Sequence, residues 1–141
     1  MDIKKKAKSL ARKYGTRNPF EIIANLNVIP VFYPLAGQTR GFYQYFQRNN
    51  LIYIDESLPE QEQVVVCAHE LGHMFLHKKS NAIFLDSRTH FKTSKFENEA
   101  NTFAAELLIP DSLIYENPDL TRQQIARLAG YNEKLMEFKN L

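Results

Sequence analysis

Apolar positions recur along this chain with two different periods, and the changes of period mark out its elements. Ile3, Ala7, Leu10, Ala11 and Tyr14 fall at i, i+4, i+7, i+8 and i+11, one stripe of an α-helix, while lysines fill the other face. Gly15 stands where a C-terminal glycine would end that helix. Asn18-Pro19-Phe20-Glu21 then reads as an N-cap, a proline at the first helical position and an acidic first turn, opening a short helix to about Leu26. Residues 27–33 are rich in Val, Ile and aromatics and predict a strand, which Pro30 confines to an edge or a bulge. Residues 41–47 and 51–55, on either side of Arg48-Asn49-Asn50, predict a hairpin, since Asn tolerates the positive φ of a tight turn.

The helical period returns over residues 59–77, with Ser57 as a candidate cap and Glu60 and Glu62 in the first turn, where the helix dipole favours acids. Residues 78–94 are polar and irregular around a short apolar piece at 82–85. Ser94 then reads as the cap of a helix over 95–108, with Glu97 completing a capping box and Pro110 stopping it. Short helices at 121–129 and 132–139 finish the pattern. Strands early, with helices before and after, give an α+β class: a small antiparallel sheet packed against a helical core.

Composition narrows the class of protein. With 141 residues, 44% hydrophobic and 24% charged, the chain has ordinary globular proportions and room for one domain, expected to run over 1–141. Its longest apolar stretch, residues 28–36, contains two prolines and falls well short of the ~20 residues that span a bilayer. The early lysines are not followed by an uninterrupted apolar run, so no secretory signal is read. Cys67 is the only cysteine, which excludes an internal disulfide and a cysteine cluster that could hold zinc. A cytoplasmic protein without a membrane partner is expected. Net charge is +2, yet residues 1–17 alone carry +6. Because those charges share one face of an amphipathic helix, they read as a solvated face rather than a phosphate-binding surface.

The informative segment is His69-Glu70-Leu71-Gly72-His73. Histidines at i and i+4 project from one helix face, near enough to bind a single ion. Glu70, about 100° round the helix from His69, sits beside that ion with space for a water. A carboxylate there can take the proton of a water attacking a carbonyl and pass it to the leaving amine. Val64, Val65, Val66, Cys67 and Ala68 lead into the motif as an apolar run, so the helix is buried, and buried polar groups are costly unless paired.

A third ligand is needed. His77 continues the row but lies roughly 12 Å along the axis from His69, beyond the span of one ion, and reads as a helix-end residue near the last carbonyls. Cys67 points away and reads as core. On the next helix Glu97, Asn101, Ala104, Ala105 and Leu108 form a face of small and apolar residues headed by one carboxylate, a face able to lie against Gly72. Glu97 is thus the better-placed third ligand, with Glu99 the alternative, and Asn101 is positioned to hydrogen-bond a ligand. His90 and Tyr53 are candidates for stabilising an oxyanion on chemistry alone.

His69-Glu70-Leu71-Gly72-His73, then His77, then the run from Glu97-Asn98-Glu99-Ala100-Asn101 to Leu108-Ile109-Pro110, resembles the ImmA/IrrE metallopeptidases. The resemblance covers most of the chain. It implies a zincin-like helical core of the gluzincin kind, with Zn2+ held by His69, His73 and Glu97 and with Glu70 as general base. The glutamate match rests on the asparagine four residues later. It also implies site-specific cleavage of a helix-turn-helix repressor, often encoded nearby on a phage or mobile element. The chain corresponds to little more than the peptidase domain of such proteins.

Two other classes compete. A metal-bearing binding protein could sequester a repressor without cutting it, although simple metal binding has no use for Glu70. A DNA-binding regulator would draw on residues 121–131, which have the flavour of half a helix-turn-helix. The final segment, however, is short and lacks arginine for base contacts, so direct nucleic-acid binding is not expected. A substrate strand is expected to add to the sheet edge, with the arm 51–55 as the candidate edge.

Overall fold

A computed structural model describes residues 2–77 and 90–140, apart from the side chains of residues 90–94. The apolar piece at 82–85 and the irregular segment around it, residues 78–89, lie outside the described residues, as does the side chain of His90.

Helix α1 (Ile3–Tyr14) begins where the Asp2 side chain accepts from the Lys5 amide and ends where Gly15, at φ 67°, bonds back to the Ala11 carbonyl. Ala7, Leu10 and Ala11 are buried, so the stripe read from the sequence faces the core and the lysines face outward. Helix α2 (Pro19–Asn25) is capped by the Asn18 side chain as expected.

Three strands follow: β1 (Ile29–Tyr33), β2 (Gly41–Phe46) and β3 (Asn49–Asp55), in the order β1-β3-β2. The hairpin of β2 and β3 is antiparallel, but its turn is Gln47-Arg48, both at positive φ, and Asn49 and Asn50 belong to the strand. β1 adds to the other side of β3 in parallel, pairing Ile29 with Leu51 and Tyr33 with Asp55, so the sheet is mixed. The arm expected to be a free edge, 51–55, is therefore the central strand. The reason is burial: Ile52 and Ile54 are both fully buried, and the strand that carries them takes the middle. β1, with a proline that cannot donate to a ladder, takes one edge. β2 takes the other, which faces the helical layer.

That layer is α3 (Glu60–His77), α4 (His90–Leu108), α5 (Asp111–Tyr115), α6 (Arg122–Ala129) and a 3-10 segment (Glu133–Phe138). α4 starts a turn earlier than the sequence suggested, so Ser94 lies within the helix instead of capping it. The last segment is 3-10 rather than α, with Leu135 and Met136 buried. α4 packs against α3 on one side and α1 on the other. Gly72 makes the first contact close: a Cβ there would lie 3.1 Å from Phe103. Gly41 does the same for β2 on α3, because a Cβ would press on Val66 and lie 2.6 Å from the Tyr53 carbonyl oxygen. No helix among the described residues is long and apolar enough to cross a membrane.

Candidate metal centre

α3 carries His69, His73 and His77 on three successive turns, and α4 brings Glu97, Glu99 and Asn101 against them. His69 Nε2 lies 3.0 Å from Glu97 Oε2, His73 Nε2 lies 2.9 Å from Glu97 Oε1, and the two Nε2 atoms are 3.2 Å apart. One ligand atom from each of His69, His73 and Glu97 falls within a span of 4.8 Å. Bond lengths of about 2.0–2.1 Å in tetrahedral zinc set neighbouring ligand atoms roughly 3.3 Å apart. A spread of a few tenths of an ångström would admit such an ion, and two imidazoles with one carboxylate are a donor set that suits it. Of the two acids weighed from sequence, Glu97 joins the histidine pair. Glu99 bonds His77 instead, with its Oε1 3.0 Å from His77 Nε2.

Each imidazole is also held from behind. His69 Nδ1 is 2.7 Å from Asn101 Oδ1, the contact anticipated for Asn101. His73 Nδ1 is 3.0 Å from His77 Nδ1. His77 does end its helix, but its ring is buried and turned into the cluster rather than toward the terminal carbonyls. The i, i+8 spacing in the sequence was the signal for this contact. A row of that length cannot share one ion, so the spacing alone does not show what His77 meets.

Glu70 stands beside the cluster, 7% exposed, with Oε2 3.9 Å from His69 Nε2. Burial pushes its carboxyl up to about 7, with the charge of Glu97 adding and His69 and a hydrogen bond from the Tyr43 backbone N–H opposing. It can thus both take and release a proton near neutral pH. Burial would raise Glu97 too, but hydrogen bonds to His69 and His73 more than offset it and hold the carboxyl well below its ordinary value. Burial opposes charge on His69, yet Glu97 and Glu70 outweigh it and its pKa is raised. For His73 burial prevails and the pKa is lowered.

The cluster opens into a cleft of about 390 Å³, with Gly41, Phe42 and Tyr43 of β2 on one wall and Val65, His69 and His73 on another. Tyr53 is placed elsewhere: its ring stacks on Phe42 with centroids 4.3 Å apart, and its hydroxyl bonds Gln44. Cys67 is fully buried in the core, and burial together with the Glu70 charge raises its thiol pKa. The Tyr43 contact with Glu70 had no signal in the sequence, because it runs from backbone and depends on sheet order.

Residues 27–138 match the peptidase family described as the IrrE N-terminal-like domain. A protein of Bacillus phage phi105 named "Uncharacterized immunity region protein 2" is 43% identical over 143 residues, covering 99% of this chain and 89% of that protein. Metallopeptidase ImmA of Bacillus subtilis is 35% identical over 116 residues, which is 81% of this chain and 67% of ImmA.

Proposed function

This chain belongs to the IrrE N-terminal-like family of metallopeptidases, and on that premise we propose that it is a zinc-dependent endopeptidase that cuts a helix-turn-helix repressor of a phage or mobile element at a specific site. The observation that carries the reading is the convergence of His69, His73 and Glu97 on one point in an open cleft, with buried Glu70 beside them. The kinship to a phage immunity-region protein supports the setting.

His69, His73 and Glu97 are the proposed ligands. Zinc held there supplies a Lewis acid and a bound water of pKa about 7. Glu70 receives the proton of the attacking water at its carboxylate and delivers it to the leaving amine. The Tyr43 backbone favours the charged form of that carboxylate. Simple metal storage would leave a buried, proton-ready Glu70 without a task, which favours cleavage over sequestration.

The substrate is proposed to lie along β2. The Arg40 carbonyl accepts from the Asp55 N–H at 2.8 Å, so by antiparallel alternation Phe42 and Gln44 also face β3, while the backbone of Gly41, Tyr43 and Tyr45 turns outward. A peptide strand added on that side would run above Glu70 and the histidines.

The test is to incubate wild type and Glu70→Gln with repressors encoded beside this gene and to read intact masses. One discrete pair of fragments from wild type and none from Glu70→Gln is expected. Equal cleavage by both would remove Glu70 from the role, and complex formation without cleavage by either would establish sequestration.

A further inference from the structure

We infer that His77 and Glu99 are a positioning pair, whose hydrogen bonds fix His73 in the tautomer that offers its Nε2 lone pair to the metal. The inference rests on the metal-centre reading above and assigns a task to the two residues left over from it.

A carboxylate only accepts, so the 3.0 Å contact between His77 Nε2 and Glu99 Oε1 places a hydrogen on Nε2 of His77. A neutral imidazole protonated there keeps a lone pair on Nδ1. That atom lies 3.0 Å from His73 Nδ1, so His73 is the donor. With its hydrogen on Nδ1, His73 has its lone pair on Nε2, the atom nearest Glu97 and His69. Both hydrogen bonds run in one direction, from His73 through His77 to Glu99. His69 reaches the same tautomer by a shorter route, donating Nδ1–H to the Asn101 amide oxygen at 2.7 Å.

The ring of His77 has little freedom to do otherwise. It is 5% exposed, with the His73 ring 5.1 Å away and the Phe96 ring 4.3 Å away, centroid to centroid. A buried imidazole is costly to keep unpaired, and the partly covered Glu99 carboxylate satisfies it. The arrangement also accounts for two acids on α4 only two residues apart. Being about 200° apart round the helix, they flank the packed face, and Glu97 meets the ion while Glu99 meets the residue behind His73.

The test measures zinc affinity of the purified full chain by competition with a chromophoric chelator, together with the visible spectrum of the cobalt(II)-loaded protein. His77→Asn keeps an acceptor near the position of Nδ1 and is expected to bind zinc about three- to tenfold more weakly. His77→Phe keeps the packing on Phe96 but has no acceptor, so a loss of about ten- to a hundredfold and altered cobalt bands are expected. Glu99→Gln, which can still accept but carries no charge, should fall near His77→Asn. Circular dichroism and unfolding midpoints of the metal-free variants separate this from loss of fold. The ordering wild type, His77→Asn, His77→Phe supports the pair. Wild-type affinity and spectrum in both His77→Phe and Glu99→Gln would overturn it while leaving the metal centre intact. If Glu97→Gln binds zinc as well as wild type, the metal-centre reading fails and this inference fails with it.

Discussion

Helix α4 carries paired acids toward both ends, partly exposed at the cleft and buried at the far end, and the two groups settle their charge by different means. At the cleft end, Glu97 and Glu99 are bonded to imidazoles of α3. At the far end Glu106, 3% exposed, is paired with Lys139, 5% exposed, which also reaches Asp111 at 2.6 Å. Lys4 closes on Asp111 at 3.1 Å, and the Asn140 amide donates to Glu106 at 2.7 Å. Arg17 spans the same region by donating to the carbonyls of Glu106 and Leu107. The far group brings its own fixed cations and ties the chain's beginning and end to α4. The cleft group relies on titratable rings, stands open to a cavity and has Glu70 beside it. Burial alone does not mark a functional site; an acid whose partners can exchange protons or accept an ion does.

The sharpest way to break this contrast is to remove the proton acceptor at one end and the cation at the other. Glu70→Gln is expected to lower peptide cleavage by about 10²–10⁴-fold, the worth of a general base, while bound zinc measured by metal analysis stays near wild type. Lys139→Met should leave zinc affinity nearly unchanged but strand Glu106, costing about 3–5 kcal/mol in urea unfolding. Adding Glu106→Leu to Lys139→Met should recover most of that loss. If Lys139→Met instead abolished metal binding with the fold intact, the two ends would be one system.

The two ends also differ in the sign of their pH response. Glu70 has a folded pKa raised from 4.5 to about 7, so its neutral form is the one the fold prefers. Stability from this group is full below about pH 4.5 and is lost as pH rises through 7. The loss comes to about 3 kcal/mol for the metal-free protein, given 1.36 kcal/mol per unit. Asp111 has a lowered pKa: burial would raise it, but Lys139 and Lys4 more than compensate. Its contribution is full above its unfolded value and disappears as pH falls below that. Urea unfolding of metal-free wild type and Glu70→Gln between pH 4 and 8 isolates the first effect. The difference between the two proteins should grow with pH, and a constant difference would contradict a raised Glu70.

The far end shows where sequence reading stops. His69, Glu70 and His73 were legible because their spacing is set within one helix, and Glu97 because a face of small residues pointed to a neighbour. The hairpin was legible from its two arms, but its turn was placed late, since Asn49 and Asn50 look like turn residues and Gln47 and Arg48 take the positive φ instead. The parallel addition of β1, and with it the central place of β3, depends on which strand buries Ile52 and Ile54, a tertiary choice. Lys139 pairs with a residue 33 positions away, and nothing local announces a buried lysine. The spacing shows His77 as part of a row, but its partner comes from α4, which delivers Glu99 to it.

The smallest predicted effect is the most direct probe of how α3 and α4 hold the cleft end together. Gly72→Ala should gain roughly 0.5–1 kcal/mol, because glycine within a helix is costly. Against this, the new methyl would lie 3.1 Å from Cβ and Cδ1 of Phe103 and 3.2 Å from Cγ, closer than ordinary contact. Phe103 is 1% exposed, so its ring has little space to retreat and α4 must give by a few tenths of an ångström. The two terms nearly cancel, and a change within about 1 kcal/mol is expected in thermal unfolding. Metal affinity should be more sensitive than stability. His69 and His73 ride on α3 and Glu97 on α4, so a small separation of the helices moves the proposed ligands apart without exposing much core. A loss of zinc affinity at nearly unchanged stability would show that α3–α4 spacing sets the site. Unchanged affinity would mean that Phe103 yields locally and that the ligand geometry is held by Asn101 and His77 alone.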